Sequence, residues 1–442
     1  MAMHEWDVII IGGGASGLAA ARALSEKGVR LILLDARNRL GGRILTVRNK
    51  MSSVPLELGG EFVHGRPKET LSIVRAARLN LIGTPDTHYR SQNGKLSPIA
   101  DFWGTLKNLR QGLARSMERA AADCSFSEYL ERAELGRTSR DLLLNFAQGF
   151  DAADPDKMSA RSLAWEEGED NSQLRIIDGY DEVVTWLRAG LDPSRSKVKL
   201  GAIVTMVRWK RGRVLVECNG STGRSTEQLH ARAVLVTVPL AMLKAKLVNF
   251  LPELREKERA WEKLELGQVF KLVLHFREAF WQTERFRTQH KLDAGSATGL
   301  MFVHSEQQEI PVWWTSAPSL APILTAWAGG PKAEALLSAD EPTRLAKVIA
   351  AITDVFGIPR RLVEDNLEAW WMHDWRSDAF SRQAYTYVGV GGQSSAKALA
   401  RPIQQTLFFA GEATDAEQMG TVAGAIRSGQ RAAREIATTL KR

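Results

Sequence analysis

Residues 7–43, DVIIIGGGASGLAAARALSEKGVRLILLDARNRLGGR, restrict the fold of this chain more than any other stretch. The apolar run from Asp7 to Ile11 reads as a strand, Gly12-Gly13-Gly14-Ala15-Ser16-Gly17 as a tight turn, and the alanine-rich residues that follow as a helix. A second apolar run, from Arg30 to Leu34, ends on Asp35. Each part has a mechanical reason. Gly12 permits the turn, Gly14 lets backbone approach a pyrophosphate, and Gly17 lets the helix pack closely on the sheet. The helix start, with Ala15 and Ser16, offers unpaired N–H groups and the positive end of its dipole to phosphate. Asp35 stands about 20 residues beyond the turn, where an acid holds ribose hydroxyls. The pattern implies a dinucleotide site in a βαβ unit. NAD and FAD share this fingerprint, so it does not choose between them.

The remaining composition sets bounds. A chain of 442 residues suffices for two or three domains, and 44% hydrophobic with 25% charged residues describe an ordinary soluble globular protein. No apolar run approaches membrane-spanning length, Met1 to Trp6 is too short for a signal peptide, and no hydrophobic tail follows the last helix. The cytoplasm is therefore the expected location. The net charge of +8 is spread without a Lys/Arg block or interleaved aromatics, so neither nucleic acid nor membrane is an expected partner. Cys124 and Cys218 cannot form a disulfide framework, and Cys218 is expected to pack in the core. No metal is expected. Most of the 13 tryptophans should be core, with a few walling a ligand cavity.

The residues after the ribose acid narrow the cofactor. Asp35-Ala36-Arg37-Asn38-Arg39-Leu40-Gly41-Gly42-Arg43 resembles the second motif of the flavin-dependent amine oxidase family, with Asp35 in place of the familiar Glu. Two glycines permit close backbone contact there, and Arg43 is a fixed cation suited to phosphate or flavin oxygens. The other end of the chain carries a similar likeness. Thr406 to Thr414 reads as a strand ending in Gly411-Glu412, and Gly420-Thr421-Val422-Ala423-Gly424 opens a last helix whose N-terminus suits the pyrimidine side of a flavin. The resemblance covers nearly the whole chain. It implies an α/β fold: a discontinuous Rossmann-type FAD-binding domain (1–75, 176–245 and 385–442) interleaved with an α+β substrate-binding domain (76–175 and 246–384). Expected strands in the middle are Val198 to Val204, Val214 to Cys218 and Ala233 to Pro239, with Val204 meeting the adenine region. Expected helices are Leu106 to Ala122, Arg140 to Phe150 and one around Pro342 to Phe356, and Val269 to Phe276 reads as a strand.

The resemblance also nominates a reaction centre. Lys271 interrupts the apolar strand Val269 to Phe276; an edge-strand lysine facing water would look the same, but the following Phe280-Trp281 matches a family lysine that holds a water on flavin N5. In Leu58-Gly59-Gly60-Glu61-Phe62-Val63-His64-Gly65 the glycines, Glu61 and Phe62 should run beside the flavin and His64 should face the substrate. Glu61 could instead meet a substrate ammonium. Trp375 and Tyr385 match the flavin-side tryptophan and first cage tyrosine, whose faces attract an amine. Ala384 stands where covalently flavinylated relatives have cysteine, which implies noncovalent FAD. Thr421 replaces the second cage tyrosine, which tilts the substrate toward polyamines or other long amines; Trp313, Trp314 or Trp327 could fill the gap. Asp151, Asp154, Asp156 and the run Glu166-Glu167-Gly168-Glu169-Asp170 are candidate carboxylates for a polycation entrance, although a solvated loop is the simpler explanation of them.

The implied activity is oxidation of an amine to an imine, hydrolysed to an aldehyde, with dioxygen reduced to hydrogen peroxide. The expected partners are a small-molecule amine and dioxygen, with homodimerisation open. The rivals are an L-amino-acid oxidase, in which Arg376 or Arg382 would grip a carboxylate, and a desaturase or porphyrinogen oxidase of the same cofactor fold. A chromatin-type demethylase or interaction module is less favoured, because such proteins carry added domains.

Overall fold

In the computed structural model, residues 5–164, 170–220, 226–292, 299–305 and 308–441 are described. The first strand, Trp6–Ile11, forms because Val8, Ile9 and Ile10 can bury completely between parallel neighbours. Each fully buried aliphatic side chain contributes roughly 1.5–3 kcal/mol. Leu31–Leu34 pairs on one side and Thr226–Val236 on the other, both parallel to it. The sheet runs Ser196–Lys199, Leu31–Leu34, Trp6–Ile11, Thr226–Val236, Arg213–Gly220, Ala202–Lys210, Asn249–Leu251. Thr226–Val236 is long enough to serve two neighbours on its far edge. Its beginning pairs with Arg213–Gly220 antiparallel, and its end with Leu407–Phe409 parallel. This brings the two chain ends into one sheet.

Three sequence expectations are corrected here. Val198 to Val204 is not one strand: it breaks at Leu200-Gly201, where Gly201 has φ 65°, a backbone conformation costly for other residues. The break swings the chain around Asp35, whose carbonyl accepts from Ala202 N, while Arg37 O accepts from Gly201 N. The segment Thr406 to Thr414 is a strand only over Leu407–Phe409; Gly411, at φ 135°, turns it into a short helical turn, Glu412–Thr414. Asn249–Leu251, beyond the boundary expected at 245, adds to the first sheet.

A second sheet has the order Leu367–Met372, Val269–Phe276, Ile323–Gly329, Val312–Thr315, Phe302–His304, His88–Gln92, Lys95–Pro98. Helices Phe102–Arg119, Phe126–Arg132 and Arg137–Gly149 pack as a separate layer through Leu106, Leu113, Phe126 and Leu143. The first of these is capped by Asp101, which accepts from Gly104 N, and the second by a reciprocal pair, Ser125 and Glu128. Helix Arg137–Gly149 turns Leu142, Asn145, Phe146 and Gly149 toward the cavity described below, the spacing of one helical face. The first helix, Ala15–Ser25, lies against the last, Val422–Leu440. Gly429 permits this crossing, since a Cβ there would sit 2.2 Å from Ser16 O. Among the described residues, no helix is long and apolar enough to cross a membrane.

Candidate active site

One cavity of about 650 Å³ runs from the glycine turn to the second sheet. Apart from Gly17, the residues nominated from the sequence as cofactor contacts line it, as do Lys271, His64, Trp375, Tyr385 and Thr421. Gly17 acts from behind: a Cβ on it would lie 1.9 Å from Gly12 O, so only glycine lets the helix start press against the turn. Gly12 takes φ 109° and is held by Thr237, whose hydroxyl meets Ile11 O and Gly12 O at 2.9 Å. Gly14 is different. A Cβ there would have only Gly42 Cα and Gly41 O near it, at 3.9 and 4.0 Å, so the space belongs to the cavity.

Around this turn the polar groups are set by backbone. Asp35 accepts from Gly13 N at 2.7 Å and Arg37 N at 2.8 Å, which fixes its carboxylate at the cavity wall. Burial raises its carboxyl from the usual range, and the two backbone N–H groups, with Arg37 and Arg39, oppose that. Ala36 and Val204 line the wall beside it. Arg37 pairs with Asp378 and donates to Ser381 at 2.8 Å. Arg43 donates to Ala384 O at 2.7 Å and Glu412 at 3.1 Å, and Glu412 accepts further from Thr386 Oγ1 at 2.9 Å. Glu412 is thus the clamp that holds Arg43. Thr421 lines the cavity, but its hydroxyl caps the last helix, accepting from Gly424 N and donating to Gln418 O. It is a cap that aims a helix N-terminus at the cavity. Gly42, Gly59, Gly60, Gly411 and Val422 complete this part of the lining.

Lys271 is not an edge residue. Its strand is paired on both sides, it is 4% exposed, and its Nζ donates to Glu61 Oε2 at 2.7 Å and Gly59 O at 3.2 Å. Glu61 is therefore committed. Arg175 reaches its Oε1 at 2.7 Å and Trp314 Nε1 donates to it at 3.1 Å, so the carboxylate neutralises two buried cations rather than waiting for a substrate ammonium. Burial alone would raise the Glu61 carboxyl, but Lys271 and Arg175 outweigh it and hold it below the usual range. Arg175, His88 and His304 escaped sequence reasoning, since isolated residues in short strands carry no periodic signal, and Trp314 was singled out only as a ring that could fill the cage.

Aromatic rings surround the lysine. Trp375 Nε1 donates to Leu58 O at 3.0 Å, and the Tyr385 hydroxyl to Phe150 O at 2.7 Å. Burial first, and the Asp151 charge second, raise the Tyr385 phenol, which stays protonated. Trp314 and Trp327 line the cavity with ring centroids 5.4 Å apart, whereas Trp313 is fully buried in the core beyond. Phe62 packs edge-on to Trp314 at 5.6 Å. His64 bonds Gln173 at 2.6 Å, and burial keeps its imidazole neutral. Of the acidic candidates, Asp151 lines the cavity; Asp154 pairs with Lys157 at 3.0 Å and Asp156 accepts from Ser127. Asp170 accepts from Ser172, and Glu166, Glu167 and Glu169 fall outside the described residues. Arg376 instead bonds Leu337 O and Ser338, and neither it nor exposed Arg382 lines the cavity.

Residues 15–437 match the family described as flavin containing amine oxidoreductase. Curated relatives include lysine-specific histone demethylase 2 of Homo sapiens, 27% identical over 98% of this chain and 54% of the relative. Polyamine oxidase 3 of Oryza sativa subsp. japonica is 26% identical over 98% of this chain and 89% of the relative. The chain thus spans about half the length of the demethylase and most of the oxidase. Among solved structures, cyclohexylamine oxidase from Brevibacterium oxydans superposes with a TM-score of 0.81 at 20% identity, covering 99% of this chain and 100% of that one. A redesigned putrescine oxidase gives 0.81 at 21% identity, over 98% and 99% of the two chains. These likenesses carry the fold.

Proposed function

The chain belongs to the flavin-containing amine oxidoreductases, and from that premise we propose that it oxidises a polyamine or another long or aromatic amine. The product is an imine that water hydrolyses to an aldehyde, and dioxygen is reduced to hydrogen peroxide. The cofactor is FAD. The residues present fit it: a side-chain-free turn at Gly14, a wall carboxylate at Asp35 and two helix N-termini face one cavity. The turn and the Ala15 helix would hold the pyrophosphate, Asp35 the ribose, and Arg43, braced by Glu412, the flavin oxygens. Ala384 offers no thiol, so the association is noncovalent. We assign 1–75, 176–245 and 385–442 to holding FAD and 76–175 with 246–384 to the substrate, the strand Asn249–Leu251 excepted.

When bound, FAD would supply the two-electron redox chemistry between the amine's C–N unit and dioxygen. The chain does the rest. Lys271, with two of its three N–H donors committed to Glu61 and Gly59, keeps one that would be available to a water beside the bound cofactor. Trp375, Tyr385, Trp314 and Trp327 exclude bulk water and offer ring faces to an amine. The observation that carries this reading is the single cavity joining the dinucleotide cradle to a buried lysine walled by aromatics. The amino-acid oxidase reading loses support because Arg376 and Arg382 lie off the cavity.

Anaerobic mixing with spermine, spermidine, aromatic monoamines and L-amino acids, followed by visible absorbance, tests it. Bleaching by an amine class is the expected result. Bleaching by amino acids alone, or by none of these, overturns the substrate assignment.

A further inference from the structure

The second sheet presents two rows of side chains to the cavity. Residues directly opposite on paired strands share a face. One row is Lys271, Trp327, Val312 and His304; the other includes Trp314, Phe302 and His88. All seven line the cavity. His304 therefore lies on the same wall as Lys271, three strand spacings away, or about 14 Å at about 4.8 Å per spacing.

His304 is the end of a hydrogen-bonded chain. Asp86 Oδ1 lies 3.1 Å from His88 Nε2, and His88 Nδ1 lies 2.9 Å from His304 Nε2. Trp103 Nε1 also donates to Asp86, at 3.0 Å. The His88 hydrogen bond is the main cause holding the Asp86 carboxyl below its usual range, so Asp86 is a carboxylate and only accepts. That forces the proton of a neutral His88 onto Nε2 and leaves a lone pair on its Nδ1. His304 must then donate through Nε2–H, which leaves its own Nδ1 as a bare acceptor. For two neutral imidazoles this is the tautomer pair that the geometry allows. Burial first, and then Arg90 and any protonated form of His88, oppose protonation of His304 as well. Aromatic rings frame the position: Phe102 stacks on His304 at 4.8 Å and on His88 at 4.1 Å, and Phe302 stacks on His88 at 5.0 Å.

We propose that His304 Nδ1, oriented by His88 and Asp86, is a remote subsite that accepts an N–H from a second, cationic nitrogen of the substrate. This rests on the amine-oxidase reading and deepens it. Lys271 and its aromatic wall mark the reacting end, and the His304 end selects amines that carry another ammonium at a distance. A lone-pair acceptor beside ring faces suits an alkylammonium, through the hydrogen bond and through cation–π attraction. His88 acts through His304 and is a positioning residue.

The test is calorimetric titration of dithionite-reduced holoenzyme under argon, which cannot oxidise its ligand, with octanediamine and with octylamine. These share a chain length and differ in the second nitrogen. A hydrogen bond to a charged group corresponds to about a tenfold to hundredfold preference for the diamine. His304→Phe should abolish that preference and leave octylamine affinity unchanged, whereas His304→Gln, which keeps an acceptor, should restore part of it. His88→Phe should weaken the preference without touching octylamine, and it serves if His304→Phe does not fold. No diamine preference in the wild type, or a preference that survives His304→Phe, overturns the proposal. Bleaching of oxidised enzyme without any diamine preference sinks this subsite alone. A His304-dependent preference in a protein that no amine bleaches sinks the oxidase reading alone.

Discussion

Glu61→Gln removes one charge from between two buried cations, and its consequence can be worked from the geometry. The carboxylate is 13% exposed, Lys271 4% and Arg175 10% by side chain, so water screens none of them well. Lys271 would keep Gly59 O, and Arg175 would keep Ala317 O and Thr315 O, but neither would retain a hydrogen-bonded carboxylate. Breaking a buried pair by removing one partner costs about 3–5 kcal/mol, because the other charge stays buried. With an unfolding entropy of about 2.1 cal/mol/K per residue over 442 residues, 4 kcal/mol lowers Tm by about 4 °C. Differential scanning fluorimetry of holoenzyme reads the shift. The double variant with Lys271→Met should recover part of it, since the stranded cation is gone. A Glu61→Gln protein within about 0.5 kcal/mol of wild type, or strictly additive single changes, would refute the counter-ion argument.

Four further outcomes follow from the same geometry. Burial raises the Glu57 carboxyl to about 7, against hydrogen bonds from Tyr180 N and Thr46. The folded state therefore holds an extra proton that the unfolded chain loses near 4.5; raising pH from about 4.5 through about 7 strips it and costs on the order of 3 kcal/mol. Chemical denaturation across that window should show the slope in wild type and lack it in Glu57→Gln. Gly14→Val should yield a folded but colourless protein, whereas Gly17→Ala should fold poorly, since its Cβ would sit 1.9 Å from Gly12 O; equal flavin content in both would contradict this. Among Asp151→Ala, Asp154→Ala, Glu166→Ala and Glu167→Ala, Asp151→Ala should raise KM for spermine and spermidine most, by about twofold to tenfold, because it lines the cavity; no change in any of the four removes the acidic entrance. Turnover should rise toward alkaline pH as the amine deprotonates, and a flat profile between neutral and mildly alkaline pH would count against that.

The cofactor half of this protein was legible in its residues as one contiguous motif; of the cavity beyond it, single residues such as Lys271, Trp375 and Tyr385 stood out, but not the partners that fix them. Dinucleotide binding depends on local backbone: a tight turn, a helix start and an acid at the end of the next strand are contiguous, so Gly12, Gly14 and Asp35 state the site in order. Breaks that hinge on one glycine, at Gly201 and Gly411, were missed because an apolar run looks continuous until a positive φ interrupts it. The reaction chamber is made instead by long-range pairing. Within its own strand Lys271 looks the same as an edge cation until both neighbouring strands are in place, and Glu61 the same as a free acid until Arg175 and Trp314 arrive from other strands. Asp86, His88 and His304 share no motif. Strand register alone aligns His304 with Lys271, and the hydrogen bond that its Nε2 donates to His88 leaves Nδ1 as its acceptor. Motifs survive in the sequence where chain neighbours do the chemistry; where sheet neighbours do it, the tertiary structure supplies the order.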